Sequence, residues 1–247
     1  MVCPSLPGYG WSDAPTERGW GVSRIAQTWA TLMGRLGYDR YGAQGGDWGA
    51  GVTAEIGRQD PGHVAGIHLN MVTARPGPDD NPPTEAETAA LAALKHYVDW
   101  DSGYSKQQST RPQTVGYGLV DSPVGQCAWI LEKFWAWTDT GGDPVAALGA
   151  DRILDDVMCY WLPGTAASSA RLYWESFGRL RSSEPVGVPM GAAIFPKEIL
   201  RASRRWAERA FSDIRHWAEL DRGGHFAAFE QPAIFVDEVR TFFRLVR

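Results

Sequence analysis

The chain has 247 residues, which suffices for one large α/β domain with an insertion. Its formal net charge of −5 argues against nucleic acid as a partner, because the binding of phosphates needs a basic surface. Its longest apolar runs fall far short of the ~20 residues that a membrane span requires, so no membrane span is expected.

The cysteines and the first residues bear on the cellular compartment. Cys3, Cys127 and Cys159 are odd in number and widely spaced, so they predict neither a disulfide framework nor a zinc site. Such usage is typical of a reducing compartment. Residues 1–4 have neither the basic nor the apolar region of a signal peptide. We therefore predict a cytoplasmic protein.

The first region, residues 1–72, has the pattern of one parallel crossover unit. Residues 39–44 predict a short strand, residues 50–58 a helix, and residues 64–69 a second, apolar strand. Strand, turn, helix and strand in this order build a parallel pair.

The turn inside this unit, residues 45–49 (GGDWG), carries the strongest chemical signal. Small residues two before and two after a central nucleophile are typical of a tight strand-to-helix elbow, where glycine avoids steric clashes. The central residue is Asp47. A carboxylate at an elbow predicts attack on carbon and an alkyl-enzyme ester. Taken alone, the segment could also be an ordinary aspartate turn between glycines.

The second region, residues 73–185, differs in composition. It opens with a stretch rich in Pro, Gly and Asp over residues 75–83, and helical patterns follow. The predicted helices cover residues 85–98, 124–137, 153–160 and 168–177. Convincing strands are few, so this region is predicted to be a helical cap, or lid.

The third region, residues 186–247, returns to an alternating pattern. Its predicted elements are a strand at 188–195, a helix at 204–211, a strand at 214–220 and a closing helix at 232–245. The predicted fold class is therefore α/β: a mostly parallel sheet flanked by helices, formed by residues 1–72 and 186–247, with the cap of residues 73–185 inserted.

Two polar residues follow the last predicted strands. His225 lies beyond the final strand and Glu198 beyond the preceding one, where open α/β sheets place their sites. Singly, each has an ordinary interpretation as a structural histidine or an exposed glutamate. Together with Asp47 they give the order nucleophile, acid, base, which is the chain order of the α/β-hydrolase triad.

Several segments resemble epoxide hydrolases of the microsomal type. They are the loop PSLPGYGWS at 4–12, the elbow at 45–49, the cap segments DSPVG at 121–125 and AWILEKF at 128–134, the acid motif FPKE at 195–198 and the base motif RGGHFAAFE at 222–230. The resemblance covers essentially the whole chain.

The resemblance implies further site residues. Tyr104 and Tyr173 match two cap tyrosines that donate hydrogen bonds to the epoxide oxygen, and the Trp48 amide matches a donor of the oxyanion hole. A phenol is neutral near pH 7 and donates one hydrogen bond, which strengthens as charge grows on the opening oxygen. Each tyrosine could instead be a packed aromatic of the cap.

One departure from the family is expected to matter. The family has a His-Gly-Trp-Pro loop upstream of the PGYG loop, whereas this chain begins at Met1, after that segment would have ended. We therefore expect the first strands to be missing and the chain to be N-terminally short. An open sheet edge would favour a homodimer or a higher oligomer.

The sequence thus predicts an epoxide hydrolase that converts a small apolar epoxide to a vicinal diol through an ester on Asp47. No metal or organic cofactor is implied. Two alternatives stay open: a haloalkane dehalogenase-like hydrolase, which also uses aspartate on this fold, and a truncated, non-catalytic binding or assembly module that keeps the motifs by descent.

Overall fold

The computed structural model describes residues 1–178 and 184–247. Contacts between residues divide the chain into two compact units. The first, called the helical unit, comprises Met1–Ile25 and Trp100–Arg181. The second, called the sheet unit, comprises Ala26–Asp99 and Ser182–Arg247.

The sheet unit is built on four parallel strands in the order β1-β2-β3-β4. The strands are β1 (Tyr41–Gly45), β2 (Val64–Leu69), β3 (Met190–Ile194) and β4 (Ile214–Glu219). The two central strands are the most apolar, and Ile67, Leu69, Met190 and Ala192 are at most 1% exposed. Parallel strands need cover on both faces, and helices supply it.

The helices of the sheet unit are α2, α3, α10, α11 and α12. Their bounds are Asp47–Gln59, Glu85–His96, Arg204–Ala207, Ala227–Glu230 and Pro232–Leu245. Helix α1 (Val22–Arg35) begins in the helical unit and ends in the sheet unit.

Close packing holds α12 against the sheet. Pro232 occupies the first turn of the helix, where its missing N–H costs no hydrogen bond. Phe242 is fully buried, and a Cβ added at Gly191 or Gly66 would lie only 2.5 or 2.9 Å from its ring. Glycine at these strand positions therefore creates the space that the phenylalanine fills.

Ion pairs attach the Pro-rich segment and α3 to α10. Thr84 and Glu87 form a capping box at the start of α3, and Glu87 also accepts hydrogen bonds from Ser203 Oγ and Arg205 Nε, each at 2.6 Å. Asp80 pairs with Arg209. The Arg205 guanidinium holds the pKa of the buried Glu87 carboxyl well below its usual range, although burial opposes this.

The helical unit packs short helices on one another. They are α4 (Gly103–Thr110), α5 (Pro112–Asp121), α6 (Pro123–Trp137), α7 (Pro144–Leu148), α8 (Ala150–Trp161) and α9 (Ala166–Ser176). A π-helical turn, Tyr97–Asp101, precedes α4. The N-terminal loop packs on α9, since Ser168 Oγ donates to Gly8 O at 2.6 Å and the Tyr9 hydroxyl donates to Ser169 O at 3.0 Å.

The observed elements confirm the predicted strand at 64–69 and the predicted helix at 232–245 residue for residue. The predicted helix at 204–211 is wrong beyond Ala207: the chain turns there so that Phe211 can bridge to Val186 beside the sheet. Helices α1, α4, α5, α7 and α11 were not predicted.

The parallel sheet with flanking helices confirms the predicted fold class. The boundaries of a core at 1–72 and 186–247 and a cap at 73–185 stay a prediction, and residues 179–183 of that cap lie outside the described residues. In the part of the chain that the structure describes, no helix combines the length and apolarity needed to cross a membrane.

Candidate active site

The turn from β1 to α2 forms a strained elbow with Asp47 at its tip. Asp47 has φ 46°, in the left-handed region that few residues other than glycine adopt. A Cβ at Gly45 would lie 2.1 Å from Gly49 O, and one at Gly46 would lie 2.6 Å from the Asn70 side chain. Crowding therefore requires glycine at 45 and 46. A Cβ at Gly49 would meet nothing within 4 Å, so the predicted crowding does not apply there.

Three predicted site residues of the sheet unit are brought together. Asp47, Glu198 and His225 follow β1, β3 and β4, and the carboxyl ends of parallel strands meet at one edge of a sheet. His225 Nε2 lies 3.0 Å from Asp47 Oδ2, and its Nδ1 lies 2.7 Å from Glu198 Oε1. The imidazole thus bridges the two carboxylates.

The surroundings of these residues differ in exposure. The side chains of His225 and Glu198 are 5% and 1% exposed, whereas the Asp47 side chain keeps 38% of its accessible surface. A buried acid and base with a reachable carboxylate is the arrangement expected if Asp47 meets a substrate and the other two act behind it.

Charge interactions set the protonation of the site. Burial disfavours a charged His225, but the carboxylates of Glu198 and Asp47 outweigh burial and raise its pKa to about 10. Desolvation by the surrounding protein also disfavours the charged form of Asp47, yet its hydrogen bond to His225 and the nearby imidazolium hold the Asp47 pKa below its usual value. Near pH 7 these interactions therefore favour the imidazolium form of His225 beside an ionised Asp47.

The Trp48 amide occupies the other side of the Asp47 carboxylate. Its N–H donates to Asp47 Oδ1 at 2.5 Å, while Oδ2 faces His225. The two oxygens of the carboxylate thus have different partners. Oδ1 rests on a fixed backbone donor, which suits an oxygen that gains negative charge.

Backbone contacts fix the loop that carries His225. Gly223 has φ 103°, and a Cβ there would lie 2.6 Å from the Phe195 ring. Its carbonyl accepts a hydrogen bond from Lys197 N at 3.1 Å, next to the acid Glu198. The Glu230 carboxylate accepts from Gly224 N at 3.0 Å and from Phe226 N at 3.1 Å.

The two predicted tyrosines lie together in the helical unit. The Tyr104 and Tyr173 rings meet edge to face, with centroids 5.7 Å apart and an interplanar angle of 81°. Trp137 packs on Tyr104 at 5.1 Å, and Lys133 Nζ lies 4.6 Å from the centroid of the Tyr104 ring. Two phenols from separate helices, α4 and α9, therefore share one aromatic cluster.

Two residues of the site have no role in the sequence-based prediction. Asn70 follows β2, is buried, accepts a hydrogen bond from Gln44 Nε2 at 2.9 Å and packs against Gly46 of the elbow. In the sequence, the signal for Asn70 was its position as a polar residue directly after an apolar strand. Glu230 stands in the RGGHFAAFE segment, but nothing in the sequence shows that its carboxylate folds back on the loop.

The comparisons with known sequences agree with this geometry. A family model described as the alpha/beta hydrolase fold matches residues 1–119. A protein of Stigmatella aurantiaca named provisionally as an epoxide hydrolase is 52% identical over 100% of this chain and 56% of its own length. Epoxide hydrolase 1 of Sus scrofa is 35% identical over 100% of this chain and 60% of its own length.

Solved structures of epoxide hydrolases are also similar to this chain. The crystal structure of juvenile hormone epoxide hydrolase from Bombyx mori matches with a TM-score of 0.89 and 32% identity, over 99% of this chain and 64% of that one. The structure of Aspergillus niger epoxide hydrolase matches with a TM-score of 0.87 and 30% identity, over 99% and 63%. The chain thus spans less than two thirds of the length of these relatives. The chain therefore has the α/β-hydrolase fold, and it is similar over essentially its whole length to proteins named as epoxide hydrolases.

Proposed function

We propose that this chain hydrolyses an epoxide to a vicinal diol through a covalent ester on Asp47. One observation carries the proposal: the Asp47 carboxylate is held at a strained elbow between the Trp48 amide and the His225 ring, and Glu198 backs that ring.

In the first step Asp47 Oδ2 attacks an epoxide carbon. A carbon–oxygen bond to Oδ2 forms, and the bond between that carbon and the ring oxygen breaks. Tyr104 and Tyr173 donate hydrogen bonds to the leaving oxygen, and a proton delivered through a phenol makes it a hydroxyl group. The product of this step is a neutral hydroxyalkyl ester. We assign the tyrosines this role from the family motif and from their pairing in the aromatic cluster.

In the second step His225 acts as a general base. Ester formation removes the negative charge of Asp47, which is one of the causes of the raised His225 pKa, so that pKa falls. The ring therefore releases its proton to solvent, and this proton replaces the one that the phenol gave to the opened oxygen. Water then attacks the ester carbon and transfers a proton to Nε2. Oδ1 carries the developing charge against the Trp48 amide. Collapse of the tetrahedral intermediate breaks the bond between the ester carbon and Oδ2, and Oδ2 takes the proton from Nε2 and leaves as part of the diol. The new carboxyl group of Asp47 then returns its proton to His225.

We also propose a substrate class, a cellular compartment and an oligomeric state for this protein. The aromatic cluster around Tyr104 suits a small apolar epoxide, because aromatic rings supply apolar surface with a polar tip. We place the protein in the cytoplasm, on its cysteine usage, and propose that β1, at one edge of the described sheet, favours a homodimer or higher oligomer. Light scattering measures the oligomeric state.

A single turnover in ¹⁸O-labelled water tests the ester. Because the first diol receives its new oxygen from Asp47, that diol should carry no label, and the peptide containing Asp47 should carry it afterwards. Mass spectrometry of diol and peptide gives both readings. Label in the first diol with an unlabelled peptide would show direct attack by water.

Turnover of brominated alkanes with halide release, and none of epoxides, would favour the dehalogenase alternative. Absence of all turnover would favour the binding module.

The tyrosines are tested by Tyr104→Phe, Tyr173→Phe and the double variant. Each single change removes one donor to the developing alkoxide, so the alkylation rate should fall roughly 10- to 100-fold with little change in substrate binding. The double variant should be nearly inactive. Rapid-quench measurement of the alkylation rate and substrate affinity distinguishes these effects. Alkylation by the double variant at the parental rate would remove both tyrosines from the mechanism.

A further inference from the structure

The Glu230 carboxylate binds the backbone on both sides of His225. Oε2 accepts a hydrogen bond from Gly224 N at 3.0 Å and Oε1 accepts one from Phe226 N at 3.1 Å. These amides belong to the residues directly before and after the proposed base. A bidentate carboxylate thus spans three consecutive residues of one loop, and charge-assisted bonds of this kind are the stronger class of hydrogen bond.

The loop needs such a restraint for two reasons. Gly223 and Gly224 precede His225, and glycine leaves the backbone free to adopt many conformations. Helix α11, which follows, has only four residues, and a helix this short has little stability of its own. Glu230 is the last residue of α11, and its side chain folds back onto the loop that precedes this helix.

The direction of the His225 side chain depends on this backbone. The ring has to reach Glu198 through Nδ1 at 2.7 Å and Asp47 through Nε2 at 3.0 Å at the same time. A rotation of the Gly224–Phe226 backbone moves the Cα–Cβ bond of His225, so both ring contacts cannot survive it.

We propose that Glu230 is a positioning residue for His225: by binding the amides of Gly224 and Phe226, it holds the imidazole between Glu198 and Asp47. This inference rests on the proposed function, in which His225 is the base of the second step. Glu230 acts through the backbone of the loop and not on the substrate. Its loss should therefore slow hydrolysis of the ester and leave formation of the ester largely intact.

The test compares Glu230→Ala, Glu230→Gln, His225→Gln and the control Asp237→Ala. Asp237 is an exposed acid on α12, so its removal changes the net charge as Glu230→Ala does. In single-turnover measurements, Glu230→Ala should form the ester within about threefold of the parental rate and hydrolyse it roughly 10²-fold more slowly, as expected for a misplaced catalytic group. His225→Gln should trap the ester. Glu230→Gln, which keeps an acceptor oxygen, should recover part of the loss, and Asp237→Ala should behave as the parent.

A second readout does not require turnover. Nuclear magnetic resonance of the histidine rings should show the pKa of His225 lowered in Glu230→Ala, because the ring loses its fixed contacts with the two carboxylates. A parental His225 titration in Glu230→Ala, or equal slowing of both chemical steps, would overturn the inference. Should Glu230→Ala fail to fold, Glu230→Gln decides in its place: an intermediate His225 pKa supports the role and a parental one overturns it.

Failure of the proposed function has a different signature. If the parent forms no ester with any epoxide, the kinetic comparison is lost for every variant alike. The ring titration still supports or overturns the role of Glu230 in holding His225, because it is measured on the protein without substrate.

Discussion

Two buried histidines of the sheet unit are held in opposite protonation states. His225, beyond β4, is 7% exposed and has a pKa raised to about 10. His68, inside β2, is fully buried and has a pKa lowered to about 3, first by burial and then by the nearby His216. Burial acts in the same direction on both rings. The carboxylates of Glu198 and Asp47 make the difference.

The position of each ring along its strand explains its neighbours. His68 stands opposite Gly191, and Gly191 stands opposite His216, so the two histidines share a face of the sheet, and the Phe242 ring fills the space above the glycine between them. Phe242 of α12 packs on His68, with ring centroids 5.9 Å apart, and neither His68 ring nitrogen has a hydrogen-bond partner among the described residues. His68 thus packs against an apolar ring, whereas His225, past the end of its strand, contacts carboxylates that follow two other strands.

Replacing Glu198 should have the largest effect, because it makes the surroundings of His225 more like those of His68. Glu198→Gln removes the charge that contributes most to raising the His225 pKa and weakens the orientation of the ring through Nδ1. We expect turnover to fall by roughly 10³- to 10⁴-fold, as when the acid of a catalytic triad is neutralised. Steady-state kinetics and ring titration measure both effects. The exposed Glu85 gives a control, Glu85→Gln. Parental turnover in Glu198→Gln would contradict the assigned role.

Asp47→Asn mimics the neutral ester and should lower the His225 pKa from about 10. Since that pKa exceeds the value of about 6.5 in an unfolded chain, the stabilisation is fully present below pH 6.5 and is lost as the pH rises toward 10. Urea unfolding of the parent should therefore show stability falling between pH 7 and 10, and the variant should show a smaller fall. An identical pH profile in both proteins would mean that Asp47 does not hold the imidazolium.

His68→Leu should have the smallest effect on activity and a visible effect on acid stability. His68 takes up its proton near pH 6.5 in the unfolded chain but only near pH 3 in the folded protein. As the pH falls through that interval, this residue should therefore lower the free energy of unfolding of the parent by about 1.4 kcal/mol per pH unit. The variant should lose stability less steeply. Urea unfolding from pH 7 to 4 measures the slope, with the exposed His96→Gln as control. An unchanged slope would show that His68 is already charged.

Patterns that a strand or helix carries within itself were readable from the sequence. The apolar run Val64–Leu69 and the proline that opens α12 predicted those elements residue for residue. Helix α4 was missed because its polar sequence, GYSKQQST, has no apolar periodicity, and packing on α9 stabilises it instead. The predicted helix after Ser203 stopped at Ala207 for a similar reason: Phe211 pairs beside the sheet rather than continuing the helix.

The site was predictable where chain order carries information. The order of Asp47, Glu198 and His225 sufficed to predict that they meet, because each follows a strand of one parallel sheet. The roles of Asn70 and Glu230 depend on which side chains fold back onto a particular turn or loop, and no local pattern records such contacts. The contribution of Gly49 was overestimated, since its position has room for a Cβ.

The ion pairs of Asp80 and Glu87 have a consequence for proteolysis. Residues 75–83 are rich in proline and mostly exposed, and exposed segments of this kind are preferred sites of nicking. A protease needs an extended stretch of backbone in its cleft, and here the segment is attached through Arg205 and Arg209 to α10 and the residues after it. The rate of limited proteolysis at this segment therefore reports how often those ion pairs open. Arg209→Gln is expected to accelerate cleavage there without changing the arrangement of Asp47, Glu198 and His225.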